Sequence, residues 1–233
     1  MSRILKAYAT RFRWLLEHVR ARKLEQGVEH LIQRARRLSL KDKISLADAL
    51  TGVYERLAAR PPFQNAVSLP TPALFYCDAG LGGLARWLRA AGYEALWEPG
   101  IDDDELLRKA REFSATILTT DSMLMERRLL RDRVIPAVWL PPTLSIAEQL
   151  ARVFREFHLD MREPRCMTCG GELRAVDKEA MRERIPPRTF GWLNKFFICT
   201  RCGQLFWHGT HWQRIEHKLR ELESGQGVTR NRF

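Results

Sequence analysis

Four cysteines stand in two CxxC pairs, Cys166 and Cys169 in Cys-Met-Thr-Cys-Gly-Gly and Cys199 and Cys202 in Cys-Thr-Arg-Cys-Gly. Each CxxC turn presents two soft thiolates, and the glycine after it frees the backbone to curl. Two such turns complete the four-thiolate set that a tetrahedral zinc takes at about 2.3 Å. Four protein ligands leave no open position for substrate or water, so the zinc expected here is structural and the segment reads as a zinc ribbon. The competing chemistry, two disulfides, needs an oxidising compartment. The N-terminal residues Met-Ser-Arg-Ile-Leu-Lys, followed by Arg-Phe-Arg-Trp, lack the uninterrupted apolar run of a secretory leader, so a reduced, cytoplasmic protein is expected.

Carboxylates make the second constellation. Asp78 follows the apolar run 73–77, Asp102, Asp103, Asp104 and Glu105 follow 94–97, and Asp121 follows 116–119. One Asp after a strand is an ordinary helix cap. Three that converge on one edge repel each other and raise each other's pKa unless a cation lies among them. Hard oxygen donors suit magnesium or manganese, which orient water and stabilise the charge that develops on an attacked phosphodiester. Phosphodiester hydrolysis is the chemistry this pattern fits.

The elements that must position these groups alternate. The patterning predicts strands at 73–77, 94–97, 116–119 and 137–140, and helices at 81–91, 103–113, 122–130 and 145–157. The last is capped by Ser145 with Glu148 three residues on. Strands separated by helices of this length form right-handed crossovers on a parallel sheet, which predicts a small three-layer α/β domain. In such sheets ligands bind beyond the carboxyl ends of the strands, where the three acids fall.

The chain of 233 residues carries a formal charge of +11, with a pI near 9.9. That balance points to a polyanionic partner, nucleic acid first and an anionic membrane surface second. No apolar run approaches the roughly 20 residues that cross a bilayer. Residues 1–60 hold 14 Lys and Arg against 6 Asp and Glu. There Leu5, Tyr8, Phe12, Leu15, Leu16 and Val19, then Val28, Leu31 and Ile32, recur at helical spacing, and a further helix is expected at 45–59. The segment reads as a basic helical arm or hairpin. Its apolar stripe must be covered by the rest of the chain, a protein partner or a second copy, while its arginines face solvent or phosphate. A proline-rich linker, Arg60-Pro-Pro through Leu69-Pro-Thr-Pro, sets a boundary near residue 72.

The run Asp78-Ala-Gly-Leu-Gly-Gly-Leu-Ala-Arg-Trp-Leu-Arg-Ala-Ala-Gly-Tyr, then Asp-Asp-Asp-Glu-Leu-Leu at 102–107 and Ile-Leu-Thr-Thr-Asp at 117–121, resembles the Mut-seven C-terminal RNase family. Arg165-Cys, Gly170-Gly-Glu-Leu, Val176-Asp-Lys-Glu, Ile185-Pro-Pro-Arg and Gly209-Thr-His-Trp match it too, so the resemblance spans roughly residues 73–221. It implies a PIN-like nuclease domain at 72–160 and a zinc ribbon at 161–222; the arm and linker at 1–70 lie outside the resemblance, and a flexible tail is expected at 223–233. It implies a metal-dependent ribonuclease in which Asp78 and Asp121 match two acids of a magnesium or manganese site. The third falls on Asp103 by the Asp-x-x-Leu register, with Asp104 as the alternative. Thr120 departs from the pattern, because a basic residue often precedes the last acid in the family.

Two other classes compete. Gly80-Leu-Gly82-Gly-Leu-Ala85 satisfies a dinucleotide fingerprint, with Glu98 near the offset of a ribose-binding acid, although about 85 residues hold too few strands for two mononucleotide-binding halves. The glycines more simply let a helix begin close to the sheet. Alternatively the α/β domain is inactive and the ribbon and arm dock on RNA, whether tRNA, rRNA or the ribosome. Arg86, Arg89, Lys195, Arg201, Trp212 and Arg214 are the candidate contacts by charge and by stacking. Phe196, Phe197 and Phe206 are expected to form the ribbon core, His208 and His211 to bond locally or touch RNA, and Cys77 to be a core thiol.

Overall fold

The computed structural model describes residues 2–61, 63 and 74–223, without the side chains of residues 3, 210, 211, 214, 218, 222 and 223. The linker from 64 to 73 and the tail from 224 onward lie outside the described residues.

Three helices come first: α1 (Arg3–His18), α2 (Leu24–Asp42) and α3 (Leu46–Ala58). Ser45 caps α3 by accepting from the Asp48 N–H at 3.1 Å, which satisfies one of the donors a helix start leaves open. Strand β1 (Leu74–Cys77) leads through a short 3-10 turn into α4 (Gly82–Ala90), then β2 (Glu94–Trp97), α5 (Asp103–Glu112) and β3 (Thr116–Thr119). The expected helix at 122–130 is instead a 3-10 turn at Leu124–Glu126 followed by α6 (Arg128–Arg131). Asp121 holds the Met123 N–H at 2.7 Å in a tight turn, and Arg127 is extended, so no continuous helix can run through. After β4 (Ala137–Trp139) comes α7 (Ile146–Phe157), whose Ser145 and Glu148 form a complete capping box.

All pairings in the first sheet are parallel, in the order β2-β1-β3-β4. Alternation along the strands supplies both faces. Phe75, Cys77, Ala95, Leu118 and Val138 pack under α4 and α7, whereas Tyr76, Ile117 and Trp139 pack under α5 and the three N-terminal helices. The stripe of α1 is therefore buried within this chain. Tyr8 and Tyr54 stand edge-on to the Trp139 ring at 5.4 and 5.0 Å, and Phe12 packs against both tyrosines. Arg152 of α7 pairs with Glu55, and Tyr8 meets Thr51 at 2.6 Å, which binds α3 to its neighbours.

The second sheet is antiparallel, in the order β5 (Leu173–Val176), β6 (Phe196–Cys199), β7 (Leu205–Trp207). Between β5 and β6 lies α8 (Pro187–Trp192), and α9 (Thr210–Glu223) returns to α7, burying Ile215 and Leu219. The small core of this unit is Ile185, Phe196 and Leu205. Phe197 and Phe206 are not in it, contrary to expectation: successive strand residues point to opposite faces, so burying Phe196 turns Phe197 outward, where it stacks on His208.

Candidate functional site

Strand β1 crosses through α4 to β2 on one side, and the chain returns through α5 to β3 on the other. The carboxyl ends of β1 and β3 therefore flank the point where the winding reverses, the crevice in which open α/β sheets bind ligands. Asp78 follows β1 and Asp121 lies two residues beyond β3. Thr119 joins them: its hydroxyl donates to Asp78 Oδ2 at 2.6 Å and its oxygen accepts from the Asp121 N–H at 2.9 Å. Asp78 Oδ1 accepts from the Ala79 N–H at 2.6 Å. Thr119 is fully buried, and the two acids it joins are half-buried.

The acidic run at 102–105 separates into distinct roles. Asp102 caps α5, accepting from the Glu105 N–H at 2.9 Å. Asp104 is an exposed partner of Arg127, and Glu105 pairs with Arg108 at 2.7 Å. The pKa of Asp103 is pushed upward, first by partial loss of solvent and then by the charges of Asp121 and Asp78, with Arg127 opposing. The three acids named by the sequence thus share one field. Their oxygens are not gathered to ligating distance, however. Among the described residues the cysteines are the one set of potential ligands whose donor atoms all lie within 4.8 Å of one another.

That quartet forms at the end of the second sheet. Cys166 and Cys202 sulfurs lie 3.7 Å apart and Cys169 and Cys199 3.4 Å, with no disulfide. Both turns close through backbone bonds, Gly170 N–H to Cys166 O at 2.8 Å and Gly203 N–H to Cys199 O at 3.0 Å. Gly170 and Gly203 take φ of +77° and +71°, the left-handed region that glycine adopts without strain. A methyl group on Gly171 would stand 2.7 Å from Cys199 Sγ, so only glycine lets the backbone pass this close. Burial raises the Cys199 thiol, but the N–H groups of Cys202 and Arg201, each 3.4 Å from its sulfur, outweigh that and bring it to about 6. Four close cysteines in this arrangement could bind zinc.

Three arginines fasten the quartet to the sheet. Arg89, only 4% exposed, donates to Ala95 O on β2 at 2.7 Å and to Met167 O and Thr168 O in the first CxxC turn at 3.1 and 2.8 Å. Arg201 reaches Glu94 at 2.8 Å and Cys169 O at 2.9 Å, and Arg165 holds Gly170 O at 2.7 Å. Arg89 and Arg201, candidates for RNA contact by charge, are here engaged in holding the edge of β2. Arg86 and Lys195 are exposed, Trp212 is half-buried against His208, and the Arg214 side chain lies outside the described atoms, as does that of His211.

The family model of the Mut7-C RNAse domain matches residues 73–219, more than half of the chain. This chain belongs to that family. The Mut7-C segment takes in the parallel sheet, the three acids and all four cysteines. No curated protein and no solved structure matches the chain.

Other features of the Mut7-C segment bear on the competing readings. Glu98, the acid a dinucleotide site would use for ribose, accepts from Lys109 at 2.6 and 2.7 Å and from the Tyr76 hydroxyl. Gly82 begins α4 against the Trp97 ring, where a methyl would stand 2.6 Å from ring carbon, so close helix packing accounts for that glycine. Cys77 is fully buried and its thiol is raised to about 12 by burial, as expected of a core residue. The sequence reading missed Thr119, Arg165 and Glu94. Thr119, two residues before Asp121 at a strand end, was visible as a pattern, whereas the contacts of Glu94 with Arg165 at 3.7 Å and with Arg201 at 2.8 Å join segments about 70 to 110 residues apart and leave no local signal.

Proposed function

We propose that this protein is a metal-dependent ribonuclease with its reaction centre at the carboxyl ends of β1 and β3. The observation that carries the reading is the placing of Asp78 and Asp121 after the two central strands, joined through Thr119, with Asp103 raised first by partial burial and then by the charges of Asp121 and Asp78, in a chain of the Mut7-C RNAse domain family. Three hard carboxylates with mutual repulsion fit a magnesium or manganese ion, which they would hold. Such an ion supplies positive charge to phosphate oxygens and makes a water easier to deprotonate. Thr119 keeps Asp78 in one rotamer, and the Asp121 turn points that side chain by its bond to the Met123 N–H. The cysteines would hold a structural zinc. Their 3.4 and 3.7 Å separations approach the roughly 3.8 Å edge of a tetrahedron with 2.3 Å bonds.

In this reading the 72–160 segment is a PIN-like nuclease domain and the 161–222 segment a zinc ribbon, and RNA is gripped by Arg86 of α4 together with Lys195, Trp212 and Arg214 of the ribbon. The basic face of α1 and α2 adds phosphate contacts. A tRNA, an rRNA or the ribosome would meet these surfaces in the cytoplasm. Among the described residues no helix is long and apolar enough to cross a membrane.

A second reading, a non-cleaving RNA adaptor, is favoured by one observation: both Asp78 oxygens already accept hydrogen bonds, and the acids stand apart. The two are separated by incubating purified protein with a pool of structured and single-stranded RNAs, with and without added manganese, beside Asp78→Asn. Manganese-dependent cleavage that vanishes in Asp78→Asn, with RNA affinity retained, is expected. Cleavage indifferent to that substitution sinks the assignment, and binding without cleavage selects the adaptor.

A further inference from the structure

Between the ribbon and the first α/β helix runs a cleft of 960 Å³, near the top of the roughly 300–1,000 Å³ range of small-ligand sites. Its walls come from α4, the end of β2, α8, β7 and the start of α9. Three features set it apart from an ordinary packing defect. First, it is rich in indole: Trp97, Trp192, Trp207 and Trp212 all line it. Trp192 is 87% exposed, more than any other large apolar side chain among the described residues. Second, among the described residues no carboxylate lines it, while Arg86 and Arg188 do, and neither has an ion-pair partner among them. Arg188 and Trp192 are four residues apart on α8 and so share one face of that helix. Third, its wall is already a stack, with His208 5.4 Å from Trp212 at 11° between planes and Phe197 5.0 Å from His208.

We infer that this cleft is a subsite for unpaired RNA nucleotides, whose bases stack on the indoles while Arg86 and Arg188 meet their phosphates. The inference rests on the proposed nuclease reading for its direction, not for its existence. Duplex RNA keeps its base faces inside its own stack and offers only phosphates and ribose edges, so an indole-walled cleft gives it little. Unpaired bases offer faces of any sequence, and each stacked base contributes enough that losing its aromatic partner costs about fivefold to a hundredfold in affinity. An apolar peptide would use the rings but not Arg86 and Arg188.

The cleft also adjoins the acids. Trp97 Nε1 donates to Ala79 O at 2.9 Å, and the Ala79 N–H binds Asp78 at 2.6 Å, so one residue separates the cleft wall from the first carboxylate. A strand threaded through the cleft would present a neighbouring phosphate to the switch point. The protein would then select single-stranded segments.

The test uses full-length Asp78→Asn protein, with its zinc content verified, in magnesium- and manganese-free buffer so that no cleavage intervenes. Tryptophan quenching and anisotropy are read with a labelled ten-nucleotide RNA and with its blunt duplex. The single strand should bind at least about tenfold more tightly and quench. Adding Trp192→Ala should weaken it fivefold or more, and Arg188→Ala should weaken it with a shallower salt dependence. Trp192 is exposed, so its removal leaves folding intact, which unchanged zinc content and melting check. Equal affinity for duplex, or no effect of Trp192→Ala, overturns the subsite. Trp192-dependent quenching by an apolar peptide but not by RNA assigns the cleft to a protein partner. Single-strand binding without cleavage by the wild type would leave the cleft standing and remove the nuclease, whereas cleavage indifferent to Trp192 does the reverse.

Discussion

The Thr119 hydroxyl donates to Asp78 Oδ2 at 2.6 Å, so the last residue of one central strand fixes the acid that follows its neighbour. Thr119 also accepts from the Asp121 N–H, so removing one oxygen loosens two of the three acids. Thr119→Val keeps the shape and the strand propensity. It should cost about 1 kcal/mol in denaturant unfolding and lower RNA cleavage about tenfold to a hundredfold with little change in RNA affinity. Equal losses of stability and binding, with no separate loss of rate, would mean Thr119 serves the fold alone.

Asp103 and Asp104, adjacent in sequence, should separate in assay. Asp104 is 80% exposed and paired with Arg127, whereas Asp103 faces the charges of Asp121 and Asp78. Asp103→Asn should abolish metal-dependent cleavage, and Asp104→Asn should change it less than about tenfold. The opposite ranking would move the middle acid to Asp104.

The partial burial of Asp103, together with its repulsion by Asp121 and Asp78, sets a pH dependence of stability. A carboxyl whose folded pKa is raised loses stability as pH rises from its unfolded value, near 3.9, through the raised one. In metal-free buffer Asp103→Asn should therefore melt higher than wild type at pH 7, with the gain fading as pH falls through the raised pKa and gone by about pH 4. Manganese should raise the wild-type melting temperature and leave that of Asp103→Asn unmoved. A variant that melts lower at pH 7 would show that Asp103 makes a stabilising contact instead.

Arg89 answers to a different experiment. Its guanidinium satisfies Ala95, Met167 and Thr168 carbonyls in a buried setting, so Arg89→Leu should lower stability by about 3 kcal/mol. It should also hasten loss of bound zinc to a chelator. Arg89→Lys should rescue little, because one ammonium cannot replace a planar fork shared among three carbonyls. Full stability with weakened RNA binding would return Arg89 to the RNA surface. Cys199→Ser should lose zinc and unfold the ribbon, and unchanged zinc content would refute the thiolate site.

Periodicity and spacing determined much on their own. The strands 94–97 and 116–119, the Ser145 capping box, the CxxC turns and the placing of Asp78 and Asp121 after strands were legible because each depends on neighbours within a few residues. What covers the α1 stripe was not, because an amphipathic face states that it must be buried but not by what; the answer is the Trp139 face of a sheet more than a hundred residues away. The Asp-x-x-Leu register favoured Asp103 over Asp104 but could not show their surroundings, since helix rotation decides which carboxyl is partly buried toward Asp121 and Asp78 and which pairs with Arg127. Charge marked Arg89 for phosphate, yet folding brought it to three carbonyls. A buried guanidinium goes where backbone oxygens most need donors, and only the tertiary structure decides where those lie.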